Sequence, residues 1–157
     1  MPDYQLITNA FQNIQFVWIT RRNKIRQGVS WAKAMQGVPW TWDKTEPHLP
    51  EQKLEFRFDV IDQFIAETVL HEAAWQEFFT RNSIKPFVVV YEDFVNSVEE
   101  TTYSILDYLD ISFSRETPFQ MPMLQPQADS LSDEWASLYQ QQNELAWQEA
   151  GWNRIGY

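Results

Sequence analysis

Two short apolar runs separated by a long helical stretch constrain this chain more than any other feature. NIQFVWIT, residues 13–20, is rich in β-branched and aromatic residues and stops abruptly at a cluster of cations. FVVVY, residues 87–91, is continuous and apolar, as expected of a strand covered on both faces. From Asp59 to Arg81 the apolar residues Ile61, Phe64, Ile65, Val69, Trp75, Phe78 and Phe79 recur at helical spacing. A helix between two strands is the crossover that a parallel pair requires, so the pattern predicts an α/β fold, with parallel strands and flanking helices.

Shorter elements follow the same logic. Asn23 is placed to cap a helix whose inner face is Ile25, Val29, Ala32 and Met35, with Gly37 suited to its stop and Pro39 beyond. Gly28 lies mid-helix, where it costs about 1 kcal/mol relative to alanine, and so marks a close backbone approach. Residues 37–54, with three prolines and two tryptophans, read as a long loop. Ser97, with Glu100 in the capping-box position, opens a helix over 97–109. An irregular proline-bearing connection over 112–130 precedes a last helix, which starts at Ser132 and runs to about residue 150.

At 157 residues, 44% hydrophobic and 22% charged, the chain has a globular composition and length for one domain over 1–157. No run has the length of a membrane span, and no basic segment precedes an apolar one at the N-terminus, so a cytoplasmic protein is expected. With no cysteine and only two histidines, His48 and His71, thiolate chemistry is excluded and a metal site is not expected.

The formal charge is -10, unevenly spread. Residues 1–45 carry six Lys or Arg against two acids, and residues 46–157 carry six against twenty. That balance disfavours nucleic-acid binding, which needs an extended basic surface. It leaves room for a compact anion site. In TRRNKIRQGVS, residues 20–30, Arg21, Arg22, Lys24 and Arg26 gather a third of all the cations at a strand end and helix start.

A helix N-terminus welcomes an anion through its unpaired N–H groups. Arg22 supplies a guanidinium fork, and Ser30, eight positions on, a hydroxyl. The plainer alternative is that the cations solvate a surface turn or pair with acidic neighbours. Tyr91, Glu92 and Asp93 invite a catalytic reading, because two acids follow a buried strand; the preferred reading is structural, with carboxylates that accept turn N–H groups or pair with an arginine. Trp40, Trp42 and His48 are candidates for the wall of an acceptor pocket, with ordinary packing as the alternative.

FVWITRRNKIRQGVSWAKAMQ resembles the 3'-phosphate-binding strand-turn-helix of sulfotransferases, which has an Arg at the strand end and a Ser eight residues later. HEAAWQEFFTRNSIKP, VVVYEDF, ILDYLDI and LQPQADSLSDEWASLY resemble, in order, segments of the Stf0 family, whose founding activity is trehalose 2-sulfotransfer. The resemblance implies a partial P-loop-like sulfotransferase fold and the co-substrate 3'-phosphoadenosine 5'-phosphosulfate (PAPS), or its product PAP, with Arg22 and Ser30 on the 3'-phosphate. It implies no metal. The acceptor it implies is a hydroxyl of a carbohydrate or glycolipid.

The sequence departs from that family in two places. The N-terminal loop that wraps the 5'-phosphosulfate is missing, as is the glutamate that follows it as base, so the chain is expected to be a truncated, C-terminal portion that does not turn over alone. Gln125 and Pro126 stand where the family tends to carry basic residues. No catalytic residue is assigned. The alternatives are a catalytically inactive nucleotide-binding or oligomeric interaction module, with the eight tryptophans serving a homo-oligomer interface, and a phosphate binder unrelated to sulfation.

Overall fold

The computed structural model describes residues 9–11, 13–37, 54–114 and 130–149. They form β1 (Val17–Thr20), α1 (Lys24–Ala34), α2 (Phe58–Arg81), β2 (Phe87–Val90), the single helical turn α3 (Tyr91–Phe94), α4 (Val98–Tyr108) and α5 (Ser130–Glu149). The class is α/β, as expected. β1 and β2 pair in parallel, with Val17 opposite Phe87 and Thr20 opposite Val90, so both strands end at the same level. The described residues fall into two compact units. One holds residues up to Arg22 together with 74–114; the other holds 23–37, 54–73 and 130–149.

In the first unit each strand is covered on one face only. Phe16 and Trp18 meet Phe79 of α2 at 5.8 Å between ring centroids, and Phe16 meets Phe78 at 5.9 Å. On the other face Phe87 packs on Tyr108 of α4 at 5.3 Å, and Val89 is buried. Residues paired in register point to the same face, so the remaining member of each pair is left open. Val88, opposite Trp18, is 48% exposed, and Ile19, opposite Val89, is 67% exposed. This corrects the expectation that FVVVY is covered on both faces: among the described residues each helix shields one strand and leaves its neighbour open on that face. β1 begins only at Val17, within the expected run 13–20, whose first residue, Asn13, takes a left-handed φ of 57° that asparagine tolerates and a strand does not. Tyr91 leaves the second strand and opens α3.

The second unit is organised by α1, α2 and α5. Val29, Ala32, Ile61, Trp135 and Tyr139 form its buried cluster, with Ile25, Phe56, Phe58 and Ile65 packed against it. Trp31 stacks on Phe64 at 4.5 Å, and Phe58 stacks on Tyr139 at 4.9 Å. The Tyr139 hydroxyl donates to Asp62 Oδ1 at 2.6 Å, and burial together with that bond pushes its pKa well above the ordinary tyrosine value. The Gln36 amide exchanges hydrogen bonds with the backbone of Glu55, at 3.0 and 2.8 Å, which ties the residues before α2 to the end of α1. Met35, expected on the inner face of α1, is 69% exposed, because it lies past the last helical residue. α5 opens two residues before the expected Ser132.

Gly28 answers its sequence signal. A Cβ there would stand 2.7 Å from Ile65 Cγ1 and 3.1 Å from the Ile61 carbonyl oxygen, so α1 and α2 touch at this residue. Ser97 does not. Its side chain makes no capping bond, since its backbone (φ -146°, ψ 50°) does not aim the hydroxyl at the first turn of α4.

Gly28→Ala separates the helix-propensity gain from the packing cost. Propensity favours alanine by about 1 kcal/mol, whereas overpacking against a β-branched side chain and a carbonyl costs about 1 to 3 kcal/mol. The expected outcome is a net loss of up to about 2 kcal/mol in urea unfolding, with an unchanged m-value.

Candidate anion site at the carboxyl ends of the strands

In open parallel sheets the carboxyl ends of strands are where loops converge and ligands bind. Here Thr20 and Val90 are paired, so the residues that follow them, Arg21 and Arg22 on one side and Tyr91, Glu92 and Asp93 on the other, meet at one level. The Arg22 backbone N–H donates to Glu92 Oε2 at 3.0 Å. Arg21 Nε stands 3.6 Å from Glu92 Oε1, and its guanidinium lies over the Tyr91 ring at 4.5 Å, a cation–π geometry. The Arg22 guanidinium donates from Nη2 to Asp93 Oδ2.

The two adjacent acids therefore do different things. Glu92, 30% exposed, holds a backbone N–H and faces Arg21, so it fixes the strand end. Asp93 and Arg22 are 62% and 61% exposed and are joined head to head. The bond to Asp93, followed by that carboxylate's charge, raises the Arg22 pKa above its already high ordinary value, so the guanidinium stays cationic throughout the range in which proteins fold.

In the second unit Asn23 caps α1 as expected, accepting the Arg26 N–H on its side-chain oxygen at 2.9 Å. Lys24 pairs with Glu72, at side-chain exposures of 22% and 21%, and Arg26 pairs with Asp133. Lys33, buried, donates to Ser132 Oγ at 3.0 Å. Ser30 is half-buried on α1, and its hydroxyl makes no hydrogen bond to another residue among those described.

Each cation of the turn thus has a carboxylate: Arg21 with Glu92, Arg22 with Asp93, Lys24 with Glu72, Arg26 with Asp133. Sequence reasoning foresaw acids near the arginines but not Glu72 or Asp133, which lie 48 and 107 positions away from their partners. The only signal was bulk: twenty acids in residues 46–157. Arg22 and Ser30 are each placed within their own unit, while Trp40, Trp42 and His48 lie outside the described residues, as do Gln125 and Pro126.

An open groove of about 300 Å³ runs along Phe87–Val90 to the Ser97, Glu100 and Thr101 face of α4. Its lining combines apolar strand residues and Phe94 with carboxylates and hydroxyls, and holds no cation among the described residues, so it does not suit an anion. No cluster of metal-ligating side chains occurs among the described residues, and no helix there is long and apolar enough to cross a membrane.

The model of the Stf0 sulphotransferase family matches residues 1–142, which span both strands, the cationic turn and the start of α5. The chain belongs to the Stf0 sulphotransferase family. A curated relative, trehalose 2-sulfotransferase of Mycolicibacterium smegmatis (strain ATCC 700084 / mc(2)155), is 28% identical over 123 residues, covering 78% of this Stf0 chain and 44% of that protein. The matched residues therefore span less than half the length of that relative.

The division of labour between the two acids predicts unequal substitutions. Glu92→Ala removes the acceptor of a strand-end N–H and is expected to lower stability by about 1 to 2 kcal/mol. Asp93→Ala loses only an exposed pair and is expected to leave the unfolding midpoint where it was. Paired urea melts of the two variants check this.

Proposed function

We propose that this chain forms part of a sulfotransferase that moves a sulfuryl group from PAPS to a hydroxyl of a carbohydrate acceptor, with Arg22 and Ser30 as ligands of the donor's 3'-phosphate. The observation that carries the proposal is the family match, which runs through the strand end and helix where these two residues stand eight positions apart. The carbohydrate acceptor is supported by the relative's name, trehalose 2-sulfotransferase.

In such a transfer the acceptor oxygen attacks sulfur, the bond from sulfur to the 5'-phosphate oxygen breaks, and the acceptor proton passes to a base. The products are a sulfate ester and PAP. By analogy with phosphoryl transfer, the protein's work is alignment and the stabilisation of charge on the moving group and leaving phosphate. Arg22 brings to this a planar fork that stays charged and suits a phosphate bidentately. The Ser30 hydroxyl, which no described residue engages, supplies a second donor. Neither residue touches the reacting sulfur; they bind and orient. The base and the ligands of the 5'-phosphosulfate are assigned to no residue of this chain.

A binding module without turnover is the second reading, supported by the apolar side chains of Ile19 and Val88 that the two-stranded sheet leaves open on opposite faces. Under it, PAP binding and self-association occur without sulfate transfer.

Calorimetric titration of the purified chain with PAP, beside adenosine 5'-phosphate and an Arg22→Ala, Ser30→Ala double variant, tests the proposal. PAP is expected to bind at least about tenfold more tightly than adenosine 5'-phosphate, a difference of about 1.4 kcal/mol or more that the 3'-phosphate alone supplies. The double variant is expected to lose that preference. Equal affinity for the two nucleotides would sink the assignment of the 3'-phosphate site.

A further inference from the structure

The two acids that follow β2 are unlike each other in a way that bears on the anion site. Glu92 is engaged by the backbone and by Arg21. The Asp93 carboxylate has Arg22 as its partner among the described residues, and both side chains stand largely in solvent. A guanidinium can present its full fork to one oxyanion at a time. A phosphate that takes the edge of Arg22 that Asp93 holds displaces Asp93, and the displaced carboxylate remains close by as a like charge.

We propose that Asp93 masks Arg22 in the nucleotide-free protein and acts as a built-in competitor that sets how tightly, and how salt-dependently, the site holds a phosphate. The inference rests on the reading of Arg22 as a phosphate ligand. An exposed pair is weak enough to exchange rapidly, so the mask limits affinity without blocking the site. It also makes the local charge before binding neutral, so salt weakens the resident pair and the incoming phosphate together and the net salt dependence is blunted. A neighbouring turn that merely shaped the backbone would do neither.

The experiment is a titration of the purified chain with PAP at low and high salt, for the wild type and for Asp93→Asn, Asp93→Ser, Arg22→Ala and the Asp93→Asn, Arg22→Ala double variant, with circular dichroism confirming that each is folded. Asp93→Asn is expected to bind PAP about three- to tenfold more tightly at low salt, the range an exposed like charge and a competing pair can supply. Its affinity should fall more steeply with salt than that of the wild type. Asp93→Ser should behave likewise, which removes dependence on one variant's folding. Without Arg22, neutralising Asp93 should give no gain.

Binding seen only after Asp93 is neutralised would be the strong form of the same result. Unchanged or weaker binding by both folded Asp93 variants, beside a wild type that binds, overturns the mask and leaves the 3'-phosphate reading standing. A gain that persists without Arg22 also overturns it, since Asp93 would then act only through bulk charge. No binding by the wild type or by any Asp93 variant removes the phosphate reading, and the mask with it.

Discussion

The parallel pairing of Thr20 with Val90 brings a pair of arginines and a pair of acids to the same level, and the rest of the candidate site depends on that coincidence. Backbone hydrogen bonds fix the register, and the register decides which charges meet. Glu92 accepts the Arg22 N–H, and the Arg22 side chain beyond it stands largely in solvent with Asp93 as its partner. A one-residue slip would exchange the faces of every side chain on the strand, and would separate Phe16 and Trp18 from the aromatic end of α2. The apolar packing and the charged end thus enforce the same alignment.

In the second unit the corresponding constraint is the approach of α1 and α2 at Gly28. A side chain there would meet Ile65 and the carbonyl of Ile61, so glycine is what permits Val29 and Ile61 to be fully buried in one cluster. The propensity lost by a mid-helix glycine is outweighed by the burial it permits, about 1.5 to 3 kcal/mol for each such side chain relative to exposure. Lys33, buried on the same helix, is accommodated because Ser132 accepts its hydrogen bond.

What the sequence made legible was local. The β-branched run before the cations, Asn23 three residues before the N–H it captures, and a glycine inside a helical pattern each carry a mechanism that acts within a few residues, and the cap and the close approach appear where expected, while the strand takes up only the last four residues of its run. The capping-box spacing of Ser97 and Glu100 shows the limit of such signals, since the spacing is present and the geometry is not. Less legible was anything set by distant partners. That FVVVY is half open depends on the number of strands beside it, and that Arg26 meets Asp133 depends on a fold that closes over 107 positions. Periodicity reports which face of an element is apolar; it does not report which acid will lie opposite a given cation.

The pairing of all four cations with carboxylates changes what an anion site here means physically. Before any ligand arrives the turn is close to neutral, so attraction at long range is weak and binding is an exchange of partners rather than the filling of an empty positive pocket. In an exchange, the cation most easily lent is the one whose abandoned partner suffers least. Lys24 and Glu72 are both about four-fifths covered, so parting them costs more than parting a pair that stands in water. Arg21 is held by a carboxylate and an aromatic face at once. Asp93, open to water, is rehydrated the moment Arg22 turns away. The same exposure that makes the Arg22 pair worth little to stability is what makes Arg22 the residue free to change partners.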